Sequence, residues 1–243
     1  MISTRQSGVT VTKSLRALLS HCLDHWLPAC CILCGQFSGS GRLCAPCHRE
    51  LPRPTRSCRL CALPGLRSAT QVCGTCLIRP PAWNEALAAL IYEYPVDQLV
   101  HRFKFQHNLT CGQLLAEEMI QQARQFESAL PDVLVPVPLH FTRRFRRGFN
   151  QAEFLARQIG LHFGIPLLCD RLQRTRRTLA QSGLDRRERQ KNIRNAFTCR
   201  QLDYAKVALV DDVLTTGTTL TACARAVRAA GAATVAVWVA TRA

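Results

Sequence analysis

The sequence predicts an α/β fold, a parallel sheet flanked by helices, preceded by a small cysteine-rich module. From about residue 81 onward, short apolar β-branched segments alternate with longer segments of helical periodicity, the pattern of parallel strands joined by crossover helices. One apolar segment, Val207–Val210, runs into paired aspartates and a threonine-rich loop, at the kind of strand end where open α/β sheets meet their ligands. Upstream, between Cys31 and Cys76, eight of the fourteen cysteines form four Cys-x2-Cys pairs.

A chain of 243 residues is long enough for one sizeable core plus a small module, or for two modest domains. The first segment, residues 1–27, places Leu15, Leu18, Leu19, Cys22, Leu23 and Trp26 at helical spacing. Residues 12–26 therefore read as an amphipathic helix, a leader that packs on the protein itself. Residues 1–12 lack an apolar core, and Lys13, Arg16, His21, Asp24 and His25 interrupt the next stretch, so it does not read as a secretory signal. No run reaches the roughly 18 apolar residues of a membrane span. The expectation is a cytoplasmic protein with reduced thiols.

Residues 28–80 form the cysteine module. Its pairs are Cys31 with Cys34, Cys44 with Cys47, Cys58 with Cys61, and Cys73 with Cys76. Two residues between thiolates let one tight turn offer both sulfurs to a single ion, and two such turns complete a tetrahedral site. The spacers, residues 35–43 and 62–72, each accommodate a short hairpin, and Gly35 and Gly74 follow pair cysteines where a knuckle turn favours a residue without a Cβ. The economical arrangement is two zinc ribbons in series, although spacing also admits a first and third pair sharing one ion. With four sulfurs and no open position, each zinc is expected to be structural. Cys30, beside Cys31, lacks the pair spacing. Cys22, Cys111, Cys169, Cys199 and Cys223 read as small hydrophobes.

Pro80 and Pro81 close that module, and residues 81–243 carry the α/β alternation. "ALAALIYEYP" is strand-like, residues 109–126 are helical, "VLVPVP" is a strand, and residues 149–162 are a helix. Pro166–Leu168 reads as a short strand. After a basic connection come a strand over 206–210, a helix over 219–230 and a strand over 234–239.

The loop after the 206–210 strand carries the chemistry. Thr215, Thr216, Gly217, Thr218 and Thr219 supply small residues, hydroxyls and backbone N–H groups at a helix start, which together can cradle a phosphate. Asp211 and Asp212 beside it suit vicinal sugar hydroxyls or a hydrated magnesium. A receiver domain would need a further acidic strand end, and no Asp or Glu follows Asp212. A nucleoside triphosphate loop would need Gly-Lys-Ser/Thr, and Gly217 is followed by Thr218 and Thr219. An ordinary capped turn is the remaining alternative. The net charge of +16, crowded with arginine between Arg143 and Arg194, adds an anionic partner to the expectation. His101, His107, His140 and His162 show no metal-ligand spacing.

"VALVDDVLTTGTTL" resembles the phosphoribosyl pyrophosphate signature of type I phosphoribosyltransferases. Together with "VPVPLHFTRRFRRGFNQAEFLA", "RTRRTLAQSGLDRRERQKNIRNAF" and the cysteine module, it makes residues 28–243 similar to the ComF family of competence-associated proteins. The resemblance implies the type I phosphoribosyltransferase fold, with Asp211 and Asp212 on the ribose hydroxyls, the latter through Mg²⁺, and the threonine loop on the 5′-phosphate. It places Arg143, Arg147 and Gly148 in the pyrophosphate loop, since arginine forks suit that leaving group. Arg177, Gln181, Arg189 and Asn192 fall in the loop that closes over the site. Lys104 matches the family's lysine before an aromatic residue, but Gln106, His107 and Asn108 stand where a glycine often follows. The implied activity is pentosyl transfer, linked to DNA uptake or nucleotide salvage. The implied partners are phosphoribosyl pyrophosphate, single-stranded DNA and DNA-processing proteins, and the alternative function is that of a non-catalytic DNA-binding accessory. No residue names an acceptor for the ribosyl group.

Overall fold

The computed structural model describes residues 29–39, 41–66, 71–126, 129–139, 148–175 and 196–243. The leader helix expected over residues 12–26 lies outside the described residues, as do Arg143, Arg147, Arg177, Gln181, Arg189 and Asn192. The chain divides into two compact units, residues 1–51 and 52–243.

In the first unit, β1 (Ala29–Cys30) pairs antiparallel with β2 (Phe37–Gly39), and α1 (Ala45–Arg49) follows. The turn between the strands closes through Cys31 N–H to Gln36 O at 2.7 Å and Gly35 N–H to Cys31 O at 2.9 Å. Gly35 takes φ +76°, the left-handed conformation that a knuckle turn demands and that glycine adopts without a Cβ clash.

The second unit opens with a cysteine knuckle and α2 (Gly74–Ile78), then β3 (Glu85–Ile91), α3 (Val96–Phe105) and α4 (Leu109–Gln125). It continues with β4 (Val133–Pro136), α5 (Gln151–Phe163), β5 (Leu172–Arg174), β6 (Phe197–Cys199), β7 (Lys206–Leu214), α6 (Thr218–Ala229) and β8 (Thr234–Arg242). Gly74, unlike Gly35, has ordinary backbone at the start of α2. The main sheet has the order β3-β8-β7-β4, and every pair in it is parallel. Helices α4 and α5 pack on one face. Helix α6 and the antiparallel β5–β6 hairpin pack on the other. Burial on both faces explains why these strands read as continuous apolar runs. Val207 and Leu209 meet Cys223 and Val227 on the α6 side. Ala208 and Val210, also fully buried, alternate with them and face α4 and α5.

The expected sheet flanked by helices is present, and five details differ from the sequence reading, the first being that β8 runs to Arg242 and not to 239. Strand β7 runs on to Leu214, so both aspartates lie within it, because its pairing with β8 continues through Val213 and Leu214. Pro166–Leu168 contributes only a one-residue bridge, Leu134 with Leu167. Helix α3 had no assignment although Val96, Leu99, Val100 and Phe103 recur at helical spacing, and the β5–β6 hairpin had none because its strands are too short to show a period. Asparagine and glycine caps define the ends of two helices. Asn108 and Asn150 accept from Cys111 N–H and Ala152 N–H, each at 3.1 Å, and Gly164 ends α5 at φ +69°. Among the described residues, no helix is long and apolar enough to cross a membrane.

Candidate functional site

The eight pair cysteines assemble into two tetrads in series, Cys31/Cys34/Cys44/Cys47 and Cys58/Cys61/Cys73/Cys76, each with all four sulfurs within 4.8 Å of one another. This grouping resolves the alternative that spacing left open. Cys34 and Cys44 lie 3.6 Å apart and Cys61 and Cys73 3.7 Å apart. Four ligands at about 2.3 Å from one zinc have edges of about 3.8 Å, so the sulfurs fit the ion. Cys30 is exposed and outside the tetrad.

The thiols in each tetrad are inequivalent. Burial pushes Cys31 up, but backbone N–H groups of Cys34, Cys44 and Leu33 outweigh it and hold the thiol at about 6. Cys58 is likewise raised by burial and lowered further by the backbone of Cys73, Cys61 and Leu60, to about 7. Burial raises Cys61 to about 11, and burial together with neighbouring thiols pushes Cys76 up strongly. Without a cation, four clustered thiols cannot all ionise, and a divalent ion removes that conflict. Each tetrad is thus able to hold a structural zinc ion.

The second candidate site lies at the carboxyl end of β7. Asp211 and residues 213–220 line a cavity of about 60 Å³. Gly217, at φ +71°, is the N-cap of α6, and the helix has no side-chain cap. Its first-turn N–H groups therefore lack intrahelical partners and sit at the cavity. Thr216 and Thr218 hydroxyls are 2.9 Å apart beside them. Hydroxyls, uncapped amides and a carboxylate form a donor set suited to a phosphorylated polyol, and the oxygen ligands are those a magnesium ion takes.

Strand alternation separates the two aspartates. Asp211 lines the cavity on the α6 side, and its Oδ1 accepts from Asp212 N–H at 2.9 Å. Asp212, buried on the other face, pairs with Lys104 Nζ of α3 at 3.0 Å, while its carbonyl accepts from the Thr241 hydroxyl at 3.1 Å. Below Asp211 is Cys223, whose thiol is pushed well up by burial and then by the Asp211 carboxylate. It is a neutral small apolar group and not a nucleophile.

The structure thus brings Asp211 together with Thr215–Thr219, and Lys104 with Asp212. Gly148, at φ +64°, has the His107 ring beside it, 3.6 Å from where a Cβ would stand. His107 itself adopts φ +55°, a conformation that glycine would take without strain. Three further residues contribute to the site; Trp83 and Arg242 carried no sequence signal, and Arg174 opens the segment, residues 174–192, that resembles the closing loop. Trp83 packs against Gly217, where a Cβ would approach its ring to 2.8 Å. Arg242 donates from Nη1 to Leu214 O at 3.0 Å, fixing the residue before the threonine loop. Arg174 of the hairpin lies over the Phe197 ring at 5.4 Å and opposes the shift of Cys223. Only the α6 crossover that lays β8 parallel beside β7 reveals Arg242, and nothing local announces it.

Comparison with known proteins follows the same lines. No family model matches the chain. It is 35% identical to Competence protein F of Haemophilus influenzae over 206 residues, 81% of this chain and 88% of the relative. It is 33% identical over 219 residues to the DNA utilization protein YhgH of Escherichia coli, 87% of this chain and 96% of the relative. Competence protein ComFC of Bacillus subtilis is 26% identical over 200 residues, 76% of this chain and 77% of the relative. Among solved structures, adenine phosphoribosyltransferase of Trypanosoma brucei superposes with a TM-score of 0.32 at 14% identity, covering 56% of this chain and 54% of that one, a likeness too slight to support an argument. With a third of its residues shared along nearly the full length of such relatives, and the cysteine tetrads and acidic strand end in place, the chain belongs to the ComF family.

Proposed function

We propose that the chain binds phosphoribosyl pyrophosphate with Mg²⁺ at the carboxyl end of β7 and transfers the ribosyl group to an acceptor, in the service of DNA uptake or nucleotide salvage. The observation that carries this reading is the uncapped start of α6 beside Asp211, with Thr216 and Thr218 hydroxyls in the same cavity. The first-turn N–H groups and threonine hydroxyls donate to the 5′-phosphate. Asp211 accepts from the ribose hydroxyls, and Asp212, held by Lys104, serves the ion. When bound, Mg²⁺ neutralises charge on the diphosphate. Arg143 and Arg147 pair with the diphosphate oxygens, Gly148 lets the backbone approach them, and Arg177 and Arg189 exclude water from the ribosyl centre. Catalysis is then positioning and charge stabilisation, with no covalent protein nucleophile.

Titration calorimetry of the full chain with phosphoribosyl pyrophosphate tests this. Binding is expected only with Mg²⁺. Asp211→Asn is expected to weaken it roughly tenfold to a hundredfold, the worth of a lost charge-assisted hydrogen bond. Absence of heat, or full affinity in the Asp211→Asn/Asp212→Asn double variant, would sink the proposal.

A second reading, a grip on single-stranded DNA, is favoured by residues 52–84. That segment contains Arg56, Arg59, Arg67 and Arg79 and no acidic residue, and its Arg53 is committed to Glu118. Names of relatives that refer to competence and DNA utilization point the same way. A labelled thymidine oligomer should then bind with an affinity that falls with salt at a slope of about −0.7 per phosphate contacted. Salt-independent or absent binding rules this reading out.

A further inference from the structure

Two side chains tie the second cysteine tetrad to the threonine loop. Arg242 donates from Nε to the carbonyl of Cys61, itself a member of the tetrad, at 2.9 Å. The same guanidinium donates from Nη1 to Leu214 O at 3.0 Å, directly before Thr215. On the other side, the Trp83 indole N–H donates to Leu60 O at 2.5 Å, within the Cys58–Cys61 turn. Its ring meanwhile occupies the space over Gly217 at the start of α6. Trp83 is 5% exposed, so its ring has little room to move independently of either partner.

We propose that Arg242 and Trp83 are positioning residues that couple metal occupation of Cys58/Cys61/Cys73/Cys76 to ligand affinity at Thr215–Thr219. The coupling rests on the phosphoribosyl pyrophosphate reading above. A knuckle locked by metal fixes the carbonyls of Leu60 and Cys61. Those carbonyls orient the indole and the guanidinium, which in turn hold both ends of the loop in the geometry that presents the α6 amides. A loop anchored in this way loses less conformational freedom when it receives a phosphate. Reciprocity then requires the ligand to tighten metal in this tetrad by the same factor. The Cys31/Cys34/Cys44/Cys47 tetrad belongs to the other compact unit and serves as an internal control.

The test uses the full zinc-loaded chain and a zinc-selective colorimetric chelator, with and without phosphoribosyl pyrophosphate and Mg²⁺. In the wild type, one of the two zinc equivalents is expected to be held about tenfold more tightly when the ligand is present, and the other unchanged. In Arg242→Gln the protection is expected to vanish, and phosphoribosyl pyrophosphate affinity to fall by the same factor. A residue with only a structural role would lower both equilibria without abolishing their mutual dependence. Should Arg242→Gln lose its fold by circular dichroism, Trp83→Phe carries the same test, since it keeps a ring over Gly217 and removes the bond to Leu60. Ligand binding that protects neither equivalent, protects both alike, or protects one equally well in the folded variant overturns the coupling. A wild type that binds no phosphoribosyl pyrophosphate at all overturns the proposed function, and the coupling with it.

Discussion

At Gly217 the backbone turns left-handed, at φ +71°, in a space that Trp83 closes to 2.8 Å. Gly217→Ala therefore faces two penalties, an αL conformation for a residue with a Cβ and a clash in a packed site. Together these are expected to cost about 2–4 kcal/mol, read as a lower urea midpoint. Because the same residue begins α6, the variant should also bind phosphoribosyl pyrophosphate more weakly. A midpoint equal to that of the wild type would contradict the packing described. This position shows how far residue type alone can be read. The threonines, the glycine and Asp211 were legible because their chemistry is local. The separation of Asp211 from Asp212 was not, since it depends on β7 staying paired with β8 to Leu214. Lys104 was legible only through its resemblance to a family pattern, and its partner, Asp212, lies more than a hundred residues away in the sequence.

Helices α3 and α4 meet closely at Gly112, where a Cβ would stand 2.4 Å from the Phe103 ring. Phe103 is fully buried and touches Phe149 and Phe154, with ring centroids at 5.4 and 5.5 Å. Gly112→Ala would help an isolated helix by about 1 kcal/mol, yet here it is expected to destabilise by about 1–3 kcal/mol, because the aromatic cluster cannot yield. Thermal unfolding decides the sign, and an increase in Tm would refute the contact. Since α3 carries Lys104, the variant is also expected to disturb the Lys104–Asp212 pair. Helices α4 and α5 were readable because each has enough residues to show a period, and β7 and β8 because each contains a continuous apolar run. Helix α3 shows a period too, Val96, Leu99, Val100 and Phe103 at i, i+3, i+4 and i+7, whereas the β5–β6 hairpin has none of its own and is fixed by packing on α6. The cysteine pairs were legible in the other sense, because ligand spacing is a short-range geometric demand that four residues can state.

Across the molecule, two features stand out: a net charge of +16 and a four-stranded sheet with β3 at one margin. The charge keeps copies apart and draws polyanions, both effects being weakened by salt. The margin is covered by the cysteine segment itself. Ala86 N–H donates to Arg59 O and Ile91 N–H to Pro52 O, each at 2.8 Å. Arg53 then clamps this segment to α4 through two 2.8 Å bonds to the buried carboxylate of Glu118. The tetrad beyond it is able to hold a zinc ion, and once that ion is bound, its removal by a chelator is expected to loosen the cover over β3. An uncovered, apolar strand edge is a template for copies of itself. Chelated protein is accordingly expected to self-associate within hours, seen as rising light scattering that zinc added beforehand prevents. Chelated protein that stays monodisperse would show the cover to be self-sufficient. If scattering rises as expected, the zinc in this ribbon is also a safeguard of colloidal behaviour, and the supply of metal during folding would decide how much of the protein stays in solution.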